Sequence, residues 1–133
     1  MEPRRTRSGT GERASAAVEF ALVLPLVLVM ILALLQIGLF VKDELMVQEA
    51  ARAGARQAAV STDDDAARRS ALDAATSLDP DRIEVSIQRE GGVGTGATVT
   101  VVYHAPVVVA LVSWLFPSTI DLSAKAIMRQ ETG

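Results

Sequence analysis

Cysteine is absent from this chain of 133 residues, and histidine and aromatic residues are scarce. Without cysteine the chain forms no disulfide bond and offers no thiolate ligand to a metal. The single histidine, His104, has no second histidine or cysteine with which to build a zinc site. Apolar residues are 50% of the sequence but aromatic residues only 4%, so alanine and valine supply most of the apolar content.

The two segments that come nearest to ligand-binding motifs lack the spacing that binding requires. Gly92, Gly94 and Gly96 alternate as in a phosphate-binding loop, but the residues after them predict a strand instead of a helix. Residues 63–65 are three aspartates without the spacing and final glutamate of a calcium loop. The net charge of −3 argues against a general nucleic-acid binder. We therefore expect a protein that is not an enzyme and has no cofactor, no metal and no nucleic-acid partner.

A long apolar run near the N-terminus predicts a membrane span. The run from Phe20 to Val41 is about 22 residues long, and about 20 suffice for a helix to cross a bilayer. The apolar region of a secretory signal is shorter, about 7–15 residues, and a small-residue cleavage site follows it. Neither property holds here, so we predict a retained single-pass anchor.

Charges are distributed unequally on the two sides of this run. Residues 1–13, before the run, carry four arginines opposed by two glutamates, whereas one lysine and three acids come directly after it. The residues are Arg4, Arg5, Arg7 and Arg13 before the run, and Lys42, Asp43, Glu44 and Glu49 after it. The positive-inside rule then predicts a cytoplasmic N-terminus and a C-terminal domain on the outer side.

These patterns divide the chain into three regions. Residues 1–13 are polar and rich in arginine, which predicts a disordered cytoplasmic leader that ends at residue 14. Residues 15–60 predict one long transmembrane and extended helix, since strong helix formers continue from Lys42 to Val60. Small residues recur along its second half at helical spacing and predict close packing: Val47, Ala50, Ala51, Gly54 and Ala58. Residues 61–133 predict a small extracytoplasmic α+β domain.

That domain is predicted to contain one helix and three strands. Ser61 or Thr62 is the expected N-cap, the acids that follow favour a helix start, and Asp79-Pro80 ends the helix. Alternating apolar residues predict three strands, at residues 82–88, 98–104 and 120–129. The expected fold class is α+β, with a long N-terminal transmembrane helix, a second helix and a three-stranded antiparallel sheet.

One segment between the last two strands does not fit a plain sheet. Residues 105–117 are apolar, contain a proline near each end and are too short to span a bilayer as a helix. One interpretation is a buried loop or a short core helix. The other is a surface segment that enters the membrane interface or docks a partner, with Trp114, Leu115 and Phe116 as the contacting residues.

Glu19 is a carboxylate at the cytoplasmic edge of the predicted span. An ionised acid costs about 2.5–3.5 kcal/mol at the bilayer centre, and intramembrane acids are functional candidates by default. One interpretation is that Glu19 pairs with a positive charge on a neighbouring subunit, because a paired charge is tolerated in a low-dielectric bundle. The alternative is that its side chain reaches the cytoplasmic interface and has no role.

The run from Arg13 to Leu26, which begins Arg13-Ala14-Ser15-Ala16-Ala17-Val18-Glu19-Phe20, closely resembles the start of the TadE-like pseudopilin family. Members of that family are minor components of the tight-adherence (Tad, Flp or type IVc) pilus machinery. The segment 48–56 is similar to the helix that follows the span in the family, and its expected packing residues are Ala51, Arg52, Gly54 and Arg56. The segment 122–129 is similar to the family's last strand.

The resemblance implies a processing step and a set of partners. In that family a prepilin peptidase removes the leader, and the glutamate becomes the fifth mature residue. The implied cut lies between Ala14 and Ser15, with alanine where the family usually has glycine, and it leaves a free amine on Ser15 to meet Glu19 of a neighbour. Phe20 completes the implied processing and assembly motif.

The implied partners are other pseudopilins, inner-membrane platform proteins and the prepilin peptidase, in contact with membrane lipid. The implied location is the bacterial inner membrane. The expected function is that of a minor pseudopilin or membrane-anchored assembly component. The alternative function is an uncleaved single-pass anchor that carries an extracytoplasmic binding module.

Overall fold

The N-terminal part of the chain is one continuous helix. A computed structural model describes residues 9–131, apart from the side chains of residues 10 and 112. Helix α1 runs from Gly9 to Val60, 52 residues with Pro25 inside it, so it is about 78 Å long. The disorder predicted for residues 9–13 is wrong, because helix formers such as Glu12, Arg13 and Ala14 extend α1 toward the N-terminus. The rest of the predicted leader, residues 1–8, lies outside the described residues.

Helix α1 has two halves with different surroundings. Its N-terminal half is apolar and exposed, and it makes α1 the one helix in the described part of the chain that is long and apolar enough to cross a membrane. Its C-terminal half, after Lys42, carries a buried stripe that packs on the rest of the chain: Val47, Ala50, Ala51, Gly54, Ala55 and Ala58. The close packing predicted for the small residues is confirmed.

Helix α2 spans Asp64–Ala74 and packs beside α1. Its N-cap is Asp63, whose Oδ1 accepts a hydrogen bond of 2.9 Å from the backbone N–H of Asp65. The predicted caps, Ser61 and Thr62, are wrong because a carboxylate one position closer to the helix takes the free N–H. Ser61 Oγ instead accepts from the backbone N–H of Asp63 at 3.1 Å.

Three antiparallel strands form a sheet in the order β1-β2-β3. They are β1 (Ile83–Arg89), β2 (Gly96–Pro106) and β3 (Thr119–Arg129). A 3₁₀ turn at Pro80–Arg82 leads into β1, and another at Ala110–Val112 lies between β2 and β3. The α+β fold class predicted from the sequence is confirmed.

The pairing of the strands separates two faces of the sheet. In the middle row, Val85 pairs with Val101 and Val101 with Ala124, and all three side chains face the helices. Successive side chains of a strand point to opposite faces, so the alternate residues Ser86, Thr100 and Lys125 form the outer face. The core is therefore a single layer between the sheet and the two helices.

Side chains in this layer are small, which lets the backbones approach closely. Alanines from all parts of the domain fill it, together with Val47, Val99, Val101, Leu78 and Tyr103. Gly54 lies at the tightest point: a Cβ there would be 3.1 Å from Ala71 Cβ, 3.1 Å from Val99 Cγ1 and 3.3 Å from Ala67 O. Gly54 therefore sets the distance of α1 from both α2 and β2.

Arg89, at the end of β1, links the ends of several elements. Its guanidinium donates to Ala58 O at 2.8 Å and Ser61 O at 2.9 Å, at the C-terminus of α1, where backbone carbonyls lack helical partners. It also donates to Asp64 Oδ1 at 2.9 Å and to Gln130 Oε1 at 3.1 Å. Hydrogen bonds of charged groups contribute about 1.5–3 kcal/mol each in typical cases. No local pattern in the sequence indicates the role of Arg89, because its partners come from distant parts of the chain.

Candidate functional site: the apolar half of α1 and the β2–β3 connection

Glu19 lies on the exposed N-terminal half of α1. Its Oε1 accepts a hydrogen bond from Ser15 Oγ at 3.4 Å, one turn earlier in the same helix. This is the only hydrogen bond of the carboxylate among the described residues, and no ion pair involves it there. Ala14, Ser15 and Phe20 are also helical and exposed, and Phe20 is 66% exposed.

The apolar side chains around Glu19 are exposed on every side of the helix. They include Val18, Leu22, Val23, Leu24, Leu26, Leu28, Met30, Ile31, Leu34 and Leu35. Such a helix is stable only where lipid or other helices surround it, because water would face its whole apolar circumference. Within the described chain this surface therefore lacks the apolar surroundings that it needs.

The four predicted helix-packing residues have two different environments. Ala51 and Gly54 are buried in the core of the chain itself. Arg52 and Arg56 are exposed, and Arg52 Nη1 is 3.8 Å from Glu49 Oε2. The structure therefore uses the small residues for packing within the chain and leaves the arginines at the surface.

The connection between β2 and β3, residues 107–118, packs against α1 and not against the sheet core. The carboxamide of Gln36 joins the two: Gln36 Oε1 accepts hydrogen bonds from the backbone N–H of Val108 at 3.1 Å and of Val109 at 3.0 Å. Phe116 lies edge-on to Phe40, with ring centroids 6.0 Å apart. Gln36 is fully buried by this contact.

Several large apolar side chains of this connection are exposed. Trp114 is 74% exposed, and Val108, Leu111 and Leu115 are also exposed. Phe116 is half-buried against α1. Of the two interpretations of residues 105–117, a buried loop or core helix is wrong, because Ala105 is the only fully buried residue among the described side chains of that range.

The outer face of the sheet carries a small charged cluster from all three strands. His104 Nδ1 is 2.6 Å from Asp121 Oδ1, and His104 Nε2 is 3.5 Å from Glu84 Oε1. The hydrogen bond to Asp121, and next the one to Glu84, raises the pKa of His104 above its usual 6.5. These contacts make the cluster responsive to pH, and it lies outside the apolar surface.

An open groove of about 560 Å³ runs between the C-terminal half of α1 and strand β3. Glu44, Gln48 and Arg52 line one side, and Lys125 and its neighbours in β3 line the other. Charged and polar side chains are among its lining residues, so the groove offers an open, partly polar surface to a partner.

A comparison with known protein families matches residues 14–56 to the family described as TadE-like protein. The match covers the exposed apolar half of α1, with Glu19, and the buried stripe up to Arg56. The comparisons with curated proteins and with solved structures gave no significant match. The resemblance predicted from residues 13–26 and 48–56 is thus confirmed for this segment.

Proposed function

Because residues 14–56 form a TadE-like segment, we propose that this chain is a membrane-anchored component of a Tad (Flp, type IVc) pilus assembly machinery, and specifically a minor pseudopilin. Its role is structural and not enzymatic. The observation that carries the proposal is the family match to a helix whose apolar half has no partner within the described chain. That half is available for other helices of the machinery and for lipid.

The proposed orientation follows from the distribution of charge. The arginines before the span stay in the cytoplasm, and the α+β domain lies outside the inner membrane. The partners are other pseudopilins and platform proteins, whose helices contact the exposed residues of α1. A prepilin peptidase acts on the bond between Ala14 and Ser15.

Glu19 has a defined part in this proposal. Cleavage before Ser15 creates an amine that is positively charged at neutral pH. In the free chain the Glu19 carboxylate has only the Ser15 hydroxyl as a partner among the described residues. An amine of a neighbouring subunit would neutralise this carboxylate, and such a pair specifies the register of two helices more than it stabilises them.

Substitution of single acidic residues tests the proposal in cells. Glu19→Gln is expected to abolish pili while the protein still accumulates in the membrane, because the neutral amide cannot neutralise an amine. The matched control is Glu12→Gln, an exposed acid of the same helix on the other side of the proposed cut. Normal pili in the Glu19→Gln strain would contradict the proposed pairing.

The N-terminus of the protein isolated from its native membrane gives an independent test. Intact mass and N-terminal sequencing are expected to show a chain that begins at Ser15. A chain that retains residues 1–14 would rule out pairing through a Ser15 amine. It would favour an uncleaved anchor that carries a binding module, for which the groove between α1 and β3 is the available surface.

A further inference from the structure

We propose that the β2–β3 connection, residues 107–118, is a second membrane-contacting element, which inserts into the outer interface of the bilayer beside α1. Its ligand is lipid. Gln36 positions it by accepting the hydrogen bonds of its backbone. The inference rests on the proposed membrane anchoring of α1, and it assigns to the extracytoplasmic domain a contact that the family match at residues 14–56 does not include.

The position of the connection along α1 places it at the depth of the interface. The first charged residue after the span is Lys42, and Gln36 lies six residues before it. With a rise of about 1.5 Å per residue, the hydrogen bonds to Gln36 lie about 9 Å below Lys42. Interfacial segments bury their apolar side about 5–10 Å into the boundary between headgroups and acyl chains.

The composition of the connection is that expected of a segment in contact with lipid. Residues 107–118 contain no charged side chain. Phe116 packs on Phe40 of α1, so the connection lies against the helix. Its exposed residues Leu111, Trp114 and Leu115 therefore extend the apolar surface of α1. Tryptophan is enriched where membrane and water meet, because its ring is apolar and its indole N–H is polar.

Protein groups satisfy part of the backbone of the connection, at its N-terminal end. An irregular segment at membrane depth is tolerated only where protein groups satisfy its polar backbone. Gln36 Oε1 accepts from the N–H groups of both Val108 and Val109, and Ser118 O accepts from Val107 N at 3.3 Å. Gln36 Nε2 is buried and has no partner among the described residues, so the two bonds to its oxygen decide how this amide is oriented.

Trp114 is the only tryptophan of the chain, so its fluorescence reports on this connection alone. The full chain is reconstituted into phosphatidylethanolamine–phosphatidylglycerol liposomes, recovered by flotation, and titrated with acrylamide. Parallel liposomes contain lipids brominated near the carbonyl end of the acyl chain. The expected result is a blue-shifted emission that loses most of its intensity in brominated lipid and little in acrylamide.

Two controls make the readout specific. In the double variant Trp114→Phe with Ser86→Trp, the reporter moves to the outer face of the sheet, and we expect acrylamide and not brominated lipid to quench it.

Gln36→Leu leaves the N–H groups of Val108 and Val109 without an acceptor, and we expect Trp114 to become accessible to acrylamide. Gln57→Leu, the same change about 31 Å further along α1, is expected to leave the emission unchanged.

Each other outcome overturns the inference. Quenching of Trp114 by acrylamide alone would place the connection in water. Protection from both quenchers, with an emission that changes with the protein-to-lipid ratio, would show that a second copy covers it. An unchanged Gln36→Leu variant would remove the positioning role of Gln36. A chain that fails to float with liposomes would contradict the membrane anchor itself, whereas a floating chain with a water-exposed Trp114 would contradict only this inference.

Discussion

Two polar side chains in the apolar half of α1, Glu19 and Gln36, have opposite surroundings. Glu19 is exposed and contacts only Ser15 of its own helix among the described residues. Gln36 is fully buried and binds two backbone N–H groups from residues more than 70 positions away. Among the described residues, Glu19 therefore has no partner outside its own helix, whereas Gln36 binds a distant segment of the chain.

His104 gives a pH dependence that follows from its contacts. The hydrogen bonds to Asp121 and Glu84 raise its pKa in the folded state above the usual 6.5. A raised pKa means that the folded state binds the His104 proton more tightly than the unfolded state does. Protonation of His104 therefore stabilises the fold fully below pH 6.5, and this stabilisation is lost as the pH rises through the folded-state pKa of His104. We expect the thermal midpoint of the domain to fall over this range.

The single histidine makes this prediction directly measurable. An NMR titration of His104 is expected to give a pKa above 6.5, and thermal unfolding is expected to lose part of its pH dependence in His104→Gln. Asp121→Asn should lower the pKa of His104 more than Glu84→Gln, because the hydrogen bond to Asp121 is the larger cause. A titration midpoint at or below 6.5 in the unmodified protein would contradict the assignment.

At the scale of elements, Gly54 decides how closely α1 approaches α2 and β2. Gly54→Ala would gain about 1 kcal/mol in helix propensity. The new Cβ would meet Ala71 Cβ, Val99 Cγ1 and Ala67 O at 3.1–3.3 Å, and overpacking of a filled core costs about 1–3 kcal/mol. Since two of these contacts are fixed to the backbone of α2, we expect a net loss of about 1 kcal/mol, measured by chemical unfolding in micelles.

Gly38 is the matched control on the same helix. Among the described residues, a Cβ at Gly38 meets no atom within 4 Å beyond its chain neighbours and the nearby backbone of its own helix, so we expect Gly38→Ala to leave the stability unchanged or to raise it by up to about 1 kcal/mol. Equal destabilisation by both substitutions would show that the contacts of Gly54 are not the cause. A pilus defect in Gly38→Ala without loss of stability would instead identify a face that packs on a neighbouring helix.

At the scale of the whole molecule, α1 is both the candidate anchor and part of the domain core. Among the described residues, five of the fourteen buried apolar side chains that form the core cluster belong to it, namely Val47, Ala50, Ala51, Ala55 and Ala58. Without them, one face of the sheet would be exposed to water. The domain therefore depends on the helix that also carries the apolar surface.

A truncation tests this dependence. We expect residues 61–133 alone to remain unfolded, with a narrow range of amide proton shifts, because a small domain that loses about a third of its core has too little buried apolar area. The chain that begins at residue 42 restores the missing face and is the matched control, and both chains are studied in the same mild detergent because both retain the exposed connection. A dispersed spectrum of 61–133 would show that the sheet and α2 fold alone.

The elements were predictable because their signals are local. Apolar length predicts the span, the alternation from Ile83 to Ile87 predicts β1, and Gly91 and Gly94 predict the turn, where both have a positive φ. The predicted N-caps of α2, Ser61 and Thr62, lie two positions and one position before the observed N-cap, Asp63. Serine, threonine and aspartate are all good N-caps, so the sequence alone does not show which of the three residues takes this role. Arg89 was missed because its bonds join positions up to 41 residues apart.

Local sequence patterns are sufficient to predict the apolar helix, the three alternating strands and the acid at the edge of the span. Each depends on residues that are neighbours along the chain, so periodicity and composition are sufficient to predict it. Three contacts are known only from the folded structure. Gln36 accepts hydrogen bonds from the β2–β3 connection, Arg89 donates to backbone carbonyls at the C-terminus of α1, and five residues of α1 belong to the core cluster. These contacts join distant residues, and their energies arise only when the chain is folded and the groups leave water together.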